Sequence, residues 1–284
     1  MIQLFQVSKS FQRQQVLDRL DLQVKDGDRI ALIGQNGAGK TTLIRSLLGQ
    51  YEHQGKLRVL ERDPRSERVE VLQHVGFVPQ HPPPLQMNAG ELVAFADSLS
   101  EKPLSQKVFE LSQELELDLH EHSSKPFFKL SGGMKQKLLI ALTLSKEPDL
   151  LIMDEPAANL DPSGRKAFFH QLSRLPESTT MLLSSHRVDE LLSLVNRVVE
   201  MDCGSIVLDE PLNEGISQGR LMGCELTLHE VNNSIRKVLE SWQFRNGAEP
   251  GRYHGEIVEE DRTRFISAIS HFSHHIRGLQ LGNS

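Results

Sequence analysis

The run Arg29-Ile-Ala-Leu-Ile33 leads into Gly34-Gln-Asn-Gly-Ala-Gly39-Lys40-Thr41-Thr42, and that into Leu43-Ile-Arg-Ser-Leu-Leu-Gly49. The middle piece fits the phosphate-loop pattern G-x-x-x-x-G-K-[ST]. Its flanks supply the context the pattern needs: an apolar strand before it, helical spacing after it, and Gly49 as a helix stop. Gly34, Gly37 and Gly39 let the backbone curl so that successive N–H groups converge on phosphate oxygens. A helix starting near Lys40 adds the positive end of its dipole. Lys40 brings a point charge for terminal phosphates, and Thr41 a hydroxyl for Mg2+. A plain glycine-rich turn into a core helix is the alternative; strand, loop and helix standing in register argue against it.

Working outward, Ile2, Leu4 and Gln6-Val7 alternate roughly and Leu20-Asp-Leu-Gln-Val24 cleanly, which predicts two half-buried strands. Further strands are expected at 55–60 and 75–78. His81-Pro-Pro-Pro84 must be an extended, rigid loop, because proline continues neither a helix nor a sheet ladder. From 89 to 122 the spacing turns helical, with Leu92, Phe95 and Leu99 on one face and Val108, Leu111, Leu115 and Leu119 forming a second stripe. This block predicts a small helical insertion. A strong helix is expected over 134–145, then a buried strand over 150–153 ending in Asp154-Glu155. A helix over 162–175 follows, then a strand over 180–183 ending in Ser184-Ser185-His186. Segments 197–201 and 205–208 predict a closing hairpin that turns at Cys203-Gly204. Strands alternating with helices predict an α/β fold with a mostly parallel sheet and ligands at the strand ends.

Beyond Leu208 the composition loosens, with Pro211, Gly215 and Gly219 in a polar stretch, so a linker is expected over 211–222. A fresh pattern starts at 223. Cys224, Leu226 and Leu228 alternate; Ile235, Val238, Leu239 and Trp242 take helical spacing; 255–258 is strand-like. Phe265, Ile266, Ile269 and Phe272 are helical again, and 276–281 closes the chain. The expected order is β-α-β-β-α-β, a small α+β domain over 223–284 behind a main domain over 1–210.

The bulk properties agree with a soluble, globular chain: 284 residues, 38% hydrophobic and 25% charged. A net charge of −6 argues against a broad nucleic-acid surface. No apolar run reaches the ~18 residues of a membrane span. The N-terminal residues lack the basic and apolar regions of a signal peptide. Cys203 and Cys224 are the only cysteines and lack ligand-like spacing; a reducing, cytosolic setting is expected, with each a small buried hydrophobe.

Four further pieces fall in a telling order. Leu130-Ser131-Gly132-Gly133-Met134 opens a helix, so Ser131 and free N–H groups make a second anion site. Asp154 closes an apolar strand, where a carboxylate reaches Mg2+ directly or through water, and Glu155 follows it. Ala158-Asn-Leu-Asp161 precedes a helix. His186 follows the next strand. With the phosphate loop, these resemble the ATP-binding subunit of ABC transporters over residues 1 to about 210.

The resemblance implies a phosphate-loop NTPase core with an antiparallel β subdomain and a helical subdomain over about 89–145. It also implies ATP and Mg2+ as cofactors and a role for each residue. Phe11 takes the place of the aromatic that stacks on adenine, with a core or hairpin role as the alternative. Gln35, Asn36, Ala38 and Thr42 complete the ATP-binding loop. Gln80 matches the glutamine that senses Mg2+, water and the membrane partner. Segment 130–134 matches the signature Leu-Ser-Gly-Gly-Gln, with Met134 as the departure, and grips ATP bound to the opposite subunit. Glu155 stands as general base and Asp161 in the loop that crosses the dimer. His186 stands as the switch at the γ-phosphate.

The implied partners are a second copy of the chain and a separate integral membrane subunit, with the ATPase peripheral on the inner face of the cell membrane and no nucleic acid bound. The tail resembles the appendage of exporter ATPases. The overall layout is similar to the ATPase of the transporter that matures nitrous oxide reductase, which is implicated in copper-site assembly. His254, His271, His274 and His275 match no closed metal site, so a solvated face is expected. A soluble cassette acting on nucleic acid or ribosomes is the alternative; one phosphate loop, no heptad run and an acidic balance speak against it. A binding-only module would show damage at Lys40 or Glu155, and both are intact.

Overall fold

The computed structural model describes residues 1–100, 102–185, 191–212, 221–229, 235, 236, 239, 242, 244–247, 251–258, 265 and 275–283. The chain divides into two compact units, Met1–Leu212 and Asn213–Ser284.

In the first unit, β1 (Ile2–Phe11) and β2 (Gln14–Val24) form an antiparallel hairpin, and β4 (Gln54–Val59) pairs with the other edge of β1. The main sheet is built from β3 (Arg29–Ile33), β5 (Val75–Val78), β6 (Leu150–Asp154), β7 (Thr180–Ser184), β8 (Arg197–Asp202) and β9 (Ser205–Pro211). Its order is β5-β6-β7-β3-β8-β9, and only the β8–β9 pair is antiparallel. Strands buried on both faces read as continuous apolar runs, and their period of two deals alternate side chains to opposite cores. Leu150 and Ile152 enter one apolar cluster with Ile30, Leu32 and Leu182. Leu151 and Met153 enter the other with Ala31, Met181 and Leu183.

The first cluster is closed by α1 (Lys40–Leu47) through Leu43, Ile44 and Leu47, beneath the antiparallel strands. The second is closed by α6 (Gly132–Ser145), α7 (Pro162–Ser173) and a helical segment of α3 (Ala89–Ser98), α4 (Ser105–Glu114) and α5 (Leu119–His122). The stripe expected on α3 is only partly core. Leu92 and Val93 are buried, while Phe95 and Leu99 stand 51% and 72% exposed. A further helix, α2 (Arg68–His74), had no signal, since of its seven residues only Val71 is buried. The expected burial of both cysteines is corrected at Cys203, which is exposed in the tight β8–β9 turn with φ of 45°.

The second unit holds β10 (Leu221–Leu228), β11 (Arg245–Asn246), β12 (Arg252–Val258) and β13 (Ile276–Asn283) in one antiparallel sheet of order β11-β12-β10-β13. Cys224, Leu226, Leu228 and Ile257 are buried with Phe244 and Phe265, whose rings stack at 5.2 Å. Burial pushes the Cys224 thiol up to about 11. His271 and His274 lie outside the described residues.

Candidate active site

The loop between β3 and α1 turns back on itself before the helix begins. Ala38 N–H donates to the Gln35 carbonyl at 3.1 Å, and the helical ladder starts with Leu43 N–H on the Gly39 carbonyl at 2.9 Å. Residues 35–37 are exposed, while Ala38, Gly39 and Lys40 are buried. Lys40 folds back across the loop: Nζ donates to the carbonyls of Gly34 at 2.6 Å and Gln35 at 3.1 Å. A buried ammonium needs such acceptors, and here they place its charge at the centre of the loop.

Opposite the loop, β6 and β7 end side by side, with Asp154 in register with Ser184. Ser184 Oγ donates to Asp154 Oδ1 at 2.6 Å and accepts from the Glu155 N–H at 2.9 Å. The serine therefore fixes the carboxylate of one acid and the backbone of the next. Glu155 takes φ of 45°, a left-handed conformation that costs a non-glycine residue about 1–2 kcal/mol. The residue lines a cavity beside Asp154.

One cavity of about 360 Å³ is lined by Val16, residues 35–42, Gln80, Asp154 and Glu155. The phosphate loop, the glutamine and both acids thus meet in one place. The donor set suits a triphosphate with a hard cation. The loop and the α1 N-terminus offer backbone N–H groups, Lys40 a charge, and Thr41, Gln80 and Asp154 oxygen ligands. Among the described residues no group of three or more His, Cys, Asp or Glu converges as a metal cage. That composition fits Mg2+, which keeps waters and shares its shell with phosphates.

The other sequence-derived residues lie elsewhere. Phe11 does not line the cavity; it is 40% exposed, its ring meets Tyr51 edge-on at 5.1 Å, and Lys9 Nζ sits 4.7 Å from its centroid. Leu130 is buried and Ser131 caps α6, accepting from Met134 N–H at 3.2 Å. Ser131 and Gly132 are exposed, and a Cβ on Gly132 would meet nothing within 4 Å. Gly133 follows in the same helical turn. Met134 is partly buried against the second apolar cluster, so its thioether replaces a polar contact with packing. None of 130–134 lines the cavity of its own chain. Asp161 caps α7, and the Ser163 hydroxyl together with Lys137 holds its carboxyl down at about 2. His186 lies outside the described residues.

Two residues escaped the motif reading. Val16 is an ordinary strand residue that faces the cavity from the β1–β2 hairpin. Ser184 precedes the residue chosen as the switch and carries no pattern of its own; only its register with Asp154 identifies it.

The family model described as ABC transporter matches residues 17–158. Energy-coupling factor transporter ATP-binding protein EcfA2 of Clostridium tetani is 32% identical over 236 residues, covering 79% of this chain and 82% of the relative. Nod factor export ATP-binding protein I of Cupriavidus metallidurans is 32% identical over 256 residues, covering 86% and 83%. Among solved structures, an ATP-binding subunit of an ABC transporter superposes with a TM-score of 0.69 at 25% identity, over 75% of this chain and 91% of the other. A dimeric ATP-binding cassette in a post-hydrolysis state, bound to ADP and Pi, shares the fold with a TM-score of 0.67 at 21% identity, over 75% and 99%.

Proposed function

The chain belongs to the ABC transporter family as its ATP-binding subunit, and from that premise we propose that two copies sandwich two Mg-ATP and drive a separate transmembrane subunit. The observation that carries this reading is a division of labour. The cavity gathers the phosphate loop, Gln80, Asp154 and Glu155, while the capped helix start at Ser131 and Gly132 stands exposed outside it. A second copy supplies its own Ser131 and Gly132 to the γ-phosphate, so each nucleotide is held by both chains.

Lys40 and the loop N–H groups hold the phosphates. Thr41, Gln80 and Asp154 hold Mg2+, which supplies charge neutralisation at the phosphates when bound. Glu155 takes the proton of the attacking water, and Ser184 keeps that carboxylate's backbone in place. His186 completes the γ-phosphate end, Asp161 the contact across the dimer, and Phe11 the adenine platform at the edge of the β1–β2 hairpin.

No helix among the described residues is long and apolar enough to cross a membrane. The loop over 79–84 and the exposed Phe95 and Leu99 of the helical segment form the docking side for the membrane subunit, with the ATPase peripheral on the inner face of the cell membrane. One phenyl and one leucyl side chain left in water beside each other on this segment suit a cover of this kind. No nucleic acid is involved. The tail forms a separate domain; the linker expected over 211–222 is corrected at both ends, since Pro211 closes β9 and Leu221 and Met222 already belong to β10.

Transport is outward on this reading. Its support is the likeness to the Nod factor export protein, which covers 86% of the chain and so reaches past Leu212. A link to copper-site maturation of nitrous oxide reductase rests on the single cassette, Met134 and the short tail.

Glu155→Gln tests the core of the proposal. Glutamine keeps size and hydrogen bonding but cannot accept the proton, so hydrolysis should fall about 10²–10⁴-fold while ATP still binds. Light scattering should then find a dimer in Mg-ATP, with the membrane subunit present. A variant that hydrolyses at the wild-type rate, or stays monomeric under those conditions, would overturn the reading.

A further inference from the structure

The segment that carries Gln80 is gripped by two side chains from distant parts of the sequence. Gln136 Nε2 donates to the Pro79 carbonyl at 3.3 Å, and Asn159 Nδ2 donates to the Gln80 carbonyl at 3.2 Å. Two consecutive peptide oxygens are thus held from two directions.

Gln136 lies in the second turn of α6, five positions after the capping Ser131. It is fully buried, yet its Oε1 has no hydrogen-bond partner. A buried amide with one end unmatched is a poor choice for packing, and the positions that follow in the same helix, 138–144, are apolar except for Thr143. The residue therefore serves through its donor, and the donor points at Pro79. Its neighbour Lys137, 8% exposed, reaches Asp161 at 3.2 Å. Asn159 closes the triangle. It sits two residues before Asp161, and its own carbonyl lies 3.1 Å from where a Cβ on Gly133 would stand. Consecutive residues of one helix thus hold the Gln80 segment and the Asp161 loop, and Asn159 ties those two to each other.

We propose that Gln136 and Asn159 are positioning residues for Gln80, holding its peptide so that the side chain meets the metal-bearing end of the cavity. The inference rests on the Mg-ATP reading above. It adds that the place of Gln80 follows the place of α6, the helix whose first turn is offered to the second copy.

The test uses the full chain with Gln136→Met, Asn159→Ala and the double variant. Methionine fills the volume of glutamine without a donor, and Asn159 is exposed, so its truncation leaves folding alone should Gln136→Met fail to fold. Three quantities are read: hydrolysis against Mg2+ and ATP, affinity for a fluorescent ATP analogue in EDTA, and melting temperature. Each single variant should lose about 10–100-fold in kcat, the range expected when a small misplacement reaches the chemistry, and need several-fold more Mg2+, while metal-free affinity stays within about twofold. The double variant should lose no more than about the stronger single one, since both side chains hold the two peptide oxygens that flank the Gln80 side chain and serve the same placement.

Wild-type kcat and Mg2+ dependence in both single variants would overturn the inference alone. So would losses that appear equally in metal-free affinity and melting temperature, because that is the signature of packing. A wild-type chain that fails to bind Mg-ATP would overturn the functional reading and this inference with it.

Discussion

Ser184→Ala is the perturbation whose size the structure fixes best. The hydroxyl is wholly buried and bonded at both ends, to Asp154 Oδ1 at 2.6 Å and the Glu155 N–H at 2.9 Å. A hydrogen bond to a carboxylate contributes about 1.5–3 kcal/mol, and taking the acceptor from a buried N–H costs about 1–3 kcal/mol. One hydroxyl makes both contacts, so the two figures overlap and the expected loss is about 2–4 kcal/mol. With about 2.1 cal/mol/K of unfolding entropy per residue, a 212-residue unit should melt about 5–9 °C lower. The second effect is on chemistry. Glu155 keeps its left-handed backbone against a preference of about 1–2 kcal/mol for the ordinary conformation, and Ser184 is one of the contacts that hold it there. Loosening that hold should lower kcat by about 10–100-fold. Scanning calorimetry and steady-state hydrolysis measure the two effects, and Glu155→Gln serves as the comparison that loses rate without losing stability. A Ser184→Ala protein that melts within about 1 °C of wild type at full activity would refute the reasoning.

Lys40→Ala removes the charge that Gly34 and Gln35 hold at the loop centre, and ATP affinity, followed by fluorescence titration, should weaken by about 10–100-fold, the equivalent of one charge-assisted contact; unchanged affinity would contradict the role given to it. Cross-linking from residues placed in the 79–84 loop should reach the membrane subunit, and cross-links confined to the tail would place the docking side elsewhere. Removing 213–284 should leave ATP binding intact by the same titration, whereas a folded truncation without ATP affinity would show that the tail belongs to the site.

How much of this was legible in the sequence follows from where each contact is made. Lys40 and Asp154 act through neighbours in the chain, as a loop next to a helix start and an acid at a strand end, so spacing alone exposes them. Ser184 acts across the β6–β7 pair and Val16 across the hairpin, and no local pattern records a register between strands far apart in sequence. The α3 stripe failed for a different reason. Leu92 and Phe95 are three residues apart, yet one is core and the other is 51% exposed. Apolar spacing states that a face will be covered, not whether the cover comes from the same chain. Gln136 shows the converse: a polar residue inside an apolar helix is visible at once, but its acceptor, the Pro79 carbonyl, is visible only in the fold.

The phosphate loop itself makes the point most sharply. Read as a motif, its glycines look equivalent, each permitting a backbone that side chains resist. In the structure they answer to different neighbours. At Gly34, with φ of 141°, a Cβ would stand 2.2 Å from the Met201 carbonyl oxygen, so β8 forbids a side chain there. At Gly37, with φ of 87°, a Cβ would meet nothing within 4 Å, so only backbone conformation and the space for phosphate require glycine. The turn after β8 continues the contact. Gly204 N–H donates to the Ala38 carbonyl at 3.1 Å, and its own carbonyl accepts from Asp18 N–H at 2.8 Å. One half of the loop is therefore clamped between the β1–β2 hairpin and the β8–β9 turn, while the other half faces the cavity. A phosphate site needs both. N–H groups stabilise a charge best when they are oriented beforehand, and here that orientation comes from segments that share no motif with the loop.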